Sequence, residues 1–200
     1  MKLKESDIDE LYFIAPIDNV ASILKKGLLS HNMMKKLAIT HVSVASGDVQ
    51  ARRVDKVVPG GRKLHDYVNI YLNARNSMLY SLLDRQKEIC VLRIDRKVMR
   101  LQKAIISDEN AARGWAKFQP SPDGLEMIDK EELFGLSWNH PDPFEKDRLK
   151  GLMCAEVLVP EKVSAKYILG AYVSCQEAGV TLADLCPDLD VKINGQIFFQ

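Results

Sequence analysis

The feature that most constrains how this chain can fold is an alternation of eight residues from His65 to Leu72. Successive side chains of a β-strand point to opposite faces of its sheet, so the alternation predicts a strand. One face carries His65, Tyr67, Asn69 and Tyr71, and the other carries Asp66, Val68, Ile70 and Leu72. A strand with one apolar face and one face of aromatic and polar groups suits the lining of a ligand cleft.

Patterns on both sides of this strand predict further elements. Residues 17–26 place apolar side chains on one face of a helix, and Gly27 ends that helix. Ser77 is predicted to cap a helix that reaches about Arg85. Other predictions are strands at residues 11–14, 41–45, 89–94, 154–159 and 167–174, a polar helix at residues 48–55, and a C-terminal hairpin at residues 191–199 turned by Asn194-Gly195. The sum is a mixed α+β fold.

Residues 104–150 are predicted to be irregular, with both tryptophans and several prolines. Long loops inside a compact domain are usually functional or disordered, and the aromatic content argues against disorder. Trp115, Phe118 and Trp138 either offer stacking platforms for nucleic-acid bases or pin the loop to the domain.

The length and composition predict one domain over residues 1–200. The chain has 46% apolar and 28% charged residues, enough for a core without disulfides or metals. No run approaches the roughly 18 consecutive apolar residues of a membrane span, and the charged start lacks a secretory signal. We therefore expect a cytoplasmic protein without membrane contact. The cysteines and histidines lack metal-ligand spacing, which predicts reduced thiols and no metal site.

The net charge of +1 does not by itself indicate a nucleic-acid partner. Between Lys35 and Lys63, however, seven basic residues stand against two acidic ones. Such a run is either a solvated face or a surface that attracts a diphosphate or a DNA backbone.

Glu156 is the carboxylate that the sequence singles out, in the apolar run from Cys154 to Pro160. A buried ionisable group is costly unless it is paired or takes part in chemistry. The alternative is a glutamate on an edge strand that faces water. Phosphate-cradling, dinucleotide-binding, zinc-protease and serine-hydrolase motifs are absent from the sequence.

Four runs, in this order, resemble the DarT family of DNA ADP-ribosyltransferases. They are LYFIAPIDNVASILKKGLLSHN, DVQARR, HDYVNIYLNARNSMLY and CAEVLVP, and they span residues 11–160. The sixteen residues from His65 to Tyr80 are the most specific. The resemblance implies an ADP-ribosyltransferase-like fold with a central split β-sheet and surrounding helices. It also implies NAD as co-substrate, single-stranded DNA as acceptor, and an antitoxin that removes ADP-ribose or blocks the site.

Carried over position by position, the resemblance assigns Arg52 and Glu156 as catalytic. It implies that NAD is held by Phe13, Ile14, Ala15, Ser22, Leu29, Arg52, Tyr71, Arg75 and Met78. The segment from about Ala104 to Glu156 resembles the family's substrate-recognition loop. The residues expected to bind nucleic acid are Arg53, Arg113, Trp115, Trp138 and Lys150.

Phe13 and Ala15 depart from the family, which commonly has a histidine and a polar residue at these positions. The departures favour guanine as the modified base, with thymine next. Other hypotheses are transfer to RNA or protein, and a catalytically weak module that binds nucleotide or nucleic acid. Retention of Arg52 and Glu156 counts against the weak module.

Overall fold

The computed structural model describes residues 1–42 and 53–200. Its strands are β1 (Glu10–Pro16), β2 (Leu28–Leu29), β3 (Val57–Val58), β4 (Arg62–Lys63), β5 (Tyr67–Tyr71), β6 (Ile89–Asp95), β7 (Ile105–Ser107), β8 (Phe118–Pro120), β9 (Glu156–Pro160), β10 (Lys162–Val163), β11 (Ile168–Val173) and β12 (Val191–Ile193). Its α-helices are α1 (Val20–Lys26), α2 (His31–Lys36), α3 (Ser77–Tyr80), α4 (Lys130–Leu133), α5 (Pro143–Leu152) and α6 (Gln176–Leu185).

Short 3₁₀ segments connect many of these elements. They are Glu5–Asp7, Ile17–Asn19, Leu64–Asp66, Leu83–Arg85, Arg96–Arg100, Asp123–Met127 and Ala165–Tyr167. The predicted helix over residues 17–26 is therefore a 3₁₀ turn followed by α1, and it ends at Gly27 as predicted. Gly27 has a φ of 84°, and a Cβ there would collide with the carbonyl oxygen of Val163, so this position favours glycine.

An eight-stranded sheet organises the molecule, in the order β12-β11-β6-β1-β5-β9-β7-β8. All neighbours are antiparallel except β11 and β12. Strand β1 pairs with β6 along its whole length, but it meets β5 only where Tyr12 lies opposite Tyr71. The sheet is thus split between β1 and β5, in agreement with the central split β-sheet that the resemblance predicted.

Alternation along the strands distributes apolar side chains to both faces of the sheet. Val68 and Ile70 of β5, with Val157 and Val159 of β9, enter the largest buried cluster. A smaller cluster around Ile14, Val91 and Phe198 covers the opposite face beside β1 and β6, and another around Leu64, Tyr67 and Leu158 covers it beside β9.

Three local predictions are wrong. Asn76, not Ser77, caps α3, because its Oδ1 accepts from the backbone N–H groups of Met78 and Leu79. No C-terminal hairpin forms over residues 191–199, since β12 pairs in parallel with β11 and Phe198 is drawn into the core. The segment over residues 104–150 is more regular than predicted, because it contains β7, β8, α4 and most of α5.

The segment that links α2 to β3 is described only in part. The predicted strand at residues 41–45 is not seen at His41 and Val42, and its remainder lies outside the described residues. Of the polar helix predicted at residues 48–55, Arg53 and Val54 are helical, and residues 48–52 lie outside the described ranges.

Cys90, Cys154, Cys175 and Cys186 are all free thiols, as predicted. Within residues 1–42 and 53–200, no helix combines the length and the apolar character needed to cross a membrane.

Candidate active site

A cavity of about 750 Å³ lies along the split in the sheet. Residues of both separated strands line it, including Phe13 and Ala15 from β1 and Asn69 and Tyr71 from β5. The polar face that the alternation of β5 predicted therefore does line a cleft. The other walls come from α1, from His31 and Met34 of α2, from the turn at residues 110–115 and from the end of α5.

Glu156 lies directly beneath the floor of this cavity. It is the first residue of β9, which is held between β5 and β7, where Glu156 lies opposite Tyr71 and Ser107. Its side chain is fully buried. The alternative of an edge-strand glutamate that faces water is therefore wrong.

The two oxygens of the Glu156 carboxyl group have different surroundings. Oε2 accepts a hydrogen bond from Nδ2 of Asn69 at 2.5 Å and lies 3.5 Å from Nη2 of Arg53. Oε1 is buried without a hydrogen-bond partner among the described residues. A buried carboxylate oxygen that is left unpaired costs free energy unless a ligand completes it.

Burial raises the pKa of Glu156 above its ordinary value, while Arg53 and the Asn69 amide act in the opposite direction. Desolvation is the larger effect, so the carboxyl group is a stronger base than a surface glutamate. A buried group with a perturbed pKa, paired to a specific charge beside a cavity, is a candidate for catalysis.

Arg53 is the arginine that the structure places on Glu156. Its side chain is 12% exposed and lines the cavity. The sequence assigned Arg53 to nucleic-acid binding and Arg52 to catalysis, and Arg52 lies outside the described residues. The geometry thus gives Arg53 a place at the buried carboxylate that sequence reasoning missed.

Most of the residues predicted to hold NAD come together in the cavity wall. They are Phe13, Ile14, Ala15, Ser22, Leu29, Tyr71 and Met78. Arg75 does not line the cavity. Its guanidinium donates to the backbone carbonyls of Leu136 and Gln196 and lies 4.0 Å from the ring centroid of Phe199. Strand β5 ends at Tyr71, so the alternation of its faces does not extend to Arg75. The side chain of Arg75 points toward the C-terminal segment instead.

The residues predicted to bind nucleic acid divide into two groups. Trp115, 85% exposed, lies at the cavity rim, and Lys150 also lines the cavity. Arg113 lines it too, but its guanidinium already contacts Glu109 and Asp147, each at 2.6 Å. Trp138 lies elsewhere, edge-to-face with Tyr80 and Phe199. For Trp138 the structure therefore favours the alternative in which the ring pins the loop.

Asn69 and His65 are cavity residues that the sequence did not single out as functional. Asn69 and His65 belong to the polar face of the alternation, which was the signal that could have selected them. His31 and His65 stack with ring centroids 4.3 Å apart. Desolvation, and next the neighbouring His31, lowers the pKa of His65 to about 4, so its ring is neutral at pH 7.

In the described part of the chain, no three His, Cys, Asp or Glu side chains gather closely enough to hold a metal ion. The chemistry that the cavity offers among these residues is a buried carboxylate beside an arginine, bordered by amide, imidazole and hydroxyl groups.

Comparison with known proteins places this geometry in a class. The fold is the α+β ADP-ribosyltransferase-like fold. It matches the structure titled "Thermosipho africanus DarTG in complex with ADP-ribose" with a TM-score of 0.84 at 28% identity, over 95% of this chain and 51% of that one. It also matches "Thermus sp. 2.9 DarT in complex with ADP-ribosylated ssDNA" with a TM-score of 0.82 at 25% identity, over 98% of this chain and 99% of that one.

The sequence comparison identifies the family. The family described as "ssDNA thymidine ADP-ribosyltransferase, DarT" matches residues 12–197, and the chain belongs to it. A relative from Thermosipho africanus, named "DNA ADP-ribosyl transferase-DNA ADP-ribosyl glycohydrolase fusion protein", is 30% identical over 86% of this chain. The chain spans 44% of the length of that protein and 62% of a Thermus aquaticus "DNA ADP-ribosyl transferase" that is 29% identical.

Proposed function

We propose that this chain transfers ADP-ribose from NAD to a base of single-stranded DNA and releases nicotinamide. The observation that carries the proposal is the carboxyl group of Glu156, buried beneath the cavity with Oε2 held and Oε1 without a hydrogen-bond partner among the described residues. Membership of the DarT family supports the same substrates. Two similar structures also support them, the Thermosipho one in complex with ADP-ribose and the Thermus one in complex with ADP-ribosylated single-stranded DNA.

The cavity fits a ligand of the size of NAD. Its volume of about 750 Å³ lies within the roughly 300–1,000 Å³ of small-molecule and cofactor pockets. Apolar side chains of β1 offer surface to the nicotinamide, and Arg53 and Lys26 bring positive charge for the diphosphate. We propose that the NAD site excludes Arg75 and is formed by the seven predicted residues that line the cavity, which are Phe13, Ile14, Ala15, Ser22, Leu29, Tyr71 and Met78.

The reaction breaks the bond between the ribose carbon and the nicotinamide nitrogen, and the electron pair leaves with neutral nicotinamide. The ribose becomes oxocarbenium-like, and a negative Oε1 nearby stabilises that charge. A nitrogen of the acceptor base then bonds to the same carbon and loses its proton, which Glu156 accepts as general base. Burial favours this role, because it raises the pKa of Glu156.

Arg53 is proposed to bind the diphosphate when NAD enters. Before that it lies 3.5 Å from Oε2 of Glu156. A guanidinium binds phosphate oxygens in a bidentate manner, and such pairing would draw Arg53 away from the carboxylate. Its displacement would open the buried carboxyl group to the ribose. Arg52 keeps the catalytic role that the resemblance assigns, as a proposal.

For the acceptor base our proposal is guanine, with thymine second. Phe13 and Ala15 present apolar groups in the cavity wall, at positions where the resemblance to the DarT family leads us to expect polar ones. Trp115 at the rim offers a ring on which a purine stacks, and Lys150 offers a donor for its edge. Arg113 and Trp138 no longer support this choice, because the first is held by carboxylates and the second lies outside the cavity.

We further propose that the chain is the toxin of a toxin–antitoxin system and acts in the cytoplasm, where NAD and DNA meet. An enzyme that attaches ADP-ribose to DNA would harm its host unless a partner reverses or blocks the modification. The Thermosipho relative, named as a transferase fused to a glycohydrolase, joins the two activities in one protein.

The test uses labelled NAD with single-stranded DNA, RNA and protein as separate acceptors. The proposal expects label on single-stranded DNA, with the guanine strand preferred among four oligonucleotides that each contain one candidate base. Label on the thymine strand alone would refute the guanine preference. Label on RNA or protein alone would refute the DNA acceptor.

A further inference from the structure

Within residues 1–42 and 53–200, two side chains hold oxygen Oε2 of Glu156, and their interactions differ in strength. Nδ2 of Asn69 donates to it at 2.5 Å. Arg53 approaches only to 3.5 Å, which is beyond the usual 2.7–3.2 Å of an N–H···O hydrogen bond. Asn69 therefore makes the directional contact, and the arginine contributes mainly charge.

We propose that Asn69 is the positioning residue that turns Oε1 of Glu156 toward the reacting ribose. The inference rests on the proposed function. Asn69 does not itself contact the reacting atoms in this mechanism. It acts through Oε2, which it holds in place so that the other oxygen of the same carboxyl group stays free.

The backbone makes this arrangement rigid. Asn69 and Tyr71 share one face of β5, and Tyr71 lies directly opposite Glu156 on β9. Asn69 is thus the diagonal cross-strand neighbour of Glu156, within reach of a short side chain. Both residues belong to paired strands, so their separation depends on the sheet and not on a loop.

The chemistry of the amide suits the role. Only its nitrogen can donate, and an ionised carboxylate only accepts, so the orientation of Asn69 against Oε2 is determined. The amide carries no net charge, so it stabilises the ionised form of Glu156 without the strong pairing that a second cation would bring. Aspartate has the same shape but no donor when ionised, and it would place a like charge against Glu156.

Among the described residues, the titratable and charged groups that face Glu156 are Arg53, Tyr71 and Cys154. Arg53 precedes β3, Tyr71 is on β5 and Cys154 precedes β9. Arg53 lowers the pKa of Glu156, as does the hydrogen bond from Asn69. Loss of the Asn69 donor therefore raises that pKa, and the acid side of the rate profile moves to higher pH.

The experiment compares the wild-type chain, N69A and N69D in transfer to a single-stranded oligonucleotide from pH 5 to 9. We expect kcat for N69A to fall about 10- to 100-fold because the carboxyl group is misplaced. We expect KM for NAD to stay within about 3-fold, since Asn69 acts on Glu156 and not on substrate binding. The acid limb of kcat should move to higher pH in N69A and further in N69D.

The matched control is N32D. Asn32 donates to Oδ1 of Asp66 at 2.6 Å, so the substitution removes the same kind of amide–carboxylate hydrogen bond, but on the surface. We expect N32D to leave kcat and the pH profile unchanged. A loss in N32D equal to that in N69D would overturn the inference.

A second readout does not depend on turnover. N69A, E156A and the double variant form a thermal-unfolding cycle, and the two substitutions should be non-additive because each of them removes the contact between the two side chains. Additive effects, or an N69A enzyme with normal kcat and pH profile, would overturn the positioning role and leave the proposed function standing. A wild-type chain that labels no acceptor would instead refute the proposed function, while the cycle would still report the contact.

Discussion

The floor and the rim of the cavity are built in different ways. Asn69 and Tyr71 of β5 line the floor, Glu156 of β9 lies directly beneath it, and the pairing of the two strands places the three side chains together. On the rim, Arg113 is held by Glu109 and Asp147, while Trp115 is 85% exposed. The difference teaches that strand period decides which side chains face this site, whereas tertiary ion pairs decide which loop side chains are free to bind.

Glu156→Gln gives the largest expected effect and tests whether the floor carries the chemistry. We expect kcat to fall by at least about 10³-fold, since the substitution removes both the charge that stabilises the ribose and the general base. The fold should survive, because glutamine keeps the shape and can accept from Asn69. Circular dichroism and a melting curve check the fold. Activity within 10-fold of wild type would show that the chemistry lies elsewhere.

Arg53→Ala should have the next largest effect, a fall of about 10- to 100-fold in kcat/KM for NAD, because a charge beside the carboxylate and the diphosphate is lost. The matched control is Arg62→Ala, which removes an exposed cation paired with Glu161. Arg52→Ala should be measured in parallel, since the resemblance makes it catalytic. Equal losses in all three variants would indicate that positive charge acts diffusely.

Substitutions at the rim should have smaller effects, and these should appear in the affinity for DNA. Lys150→Ala and Trp115→Ala should raise KM for the oligonucleotide about 3- to 10-fold and leave kcat nearly unchanged, because the proposed function places both side chains against the acceptor and not against the reacting atoms. Trp138→Ala should instead lower the free energy of unfolding by about 1–3 kcal/mol, since its ring packs on Tyr80 and Phe199. If Trp138→Ala weakens DNA binding and leaves the melting point normal, Trp138 contacts DNA and does not pin the loop.

The smallest effect that we expect comes from His65 in the cavity wall. It makes the free energy of unfolding depend on pH. Its pKa falls from 6.5 to about 4 on folding. Between these values the unfolded chain binds more protons than the folded one, so stability is lost as the pH falls from 6.5 toward 4. Melting curves over this range should show a smaller decline for His65→Gln than for wild type. Parallel declines would mean that His65 is not buried in its neutral form.

The floor could be predicted from sequence because its information is local. The alternation at residues 65–72 indicated a cleft-lining face, and the apolar surroundings of Glu156 indicated a costly carboxylate. The contact between Asn69 and Glu156 joins residues 87 positions apart, so no local pattern contains it. The Asn194-Gly195 hairpin failed because Phe198 gains more from burial in the core than a short hairpin gains from pairing.

The rim was predicted less well, because its side chains are held by contacts between residues that are distant in sequence. Whether Arg113 is free depends on carboxylates of the turn at Glu109 and of α5, and the sequence does not show that these come together. Arg75 was assigned to NAD binding by resemblance, yet its hydrogen bonds to Leu136 and Gln196 hold its side chain outside the cavity. Long side chains follow the strongest partner within reach, and that partner is set by tertiary structure.

The most direct measurement of the central claim is mass spectrometry of a single-stranded oligonucleotide after incubation with NAD and either the wild-type chain or Glu156→Gln. The wild-type reaction should yield an oligonucleotide heavier by one ADP-ribosyl group, with an equal amount of free nicotinamide. The Glu156→Gln reaction should yield the unmodified strand from a folded protein. The central claim is that the chain transfers ADP-ribose to DNA and needs the buried carboxylate of Glu156 to do so. An unmodified strand with the wild-type protein, or equal modification by both proteins, would contradict it.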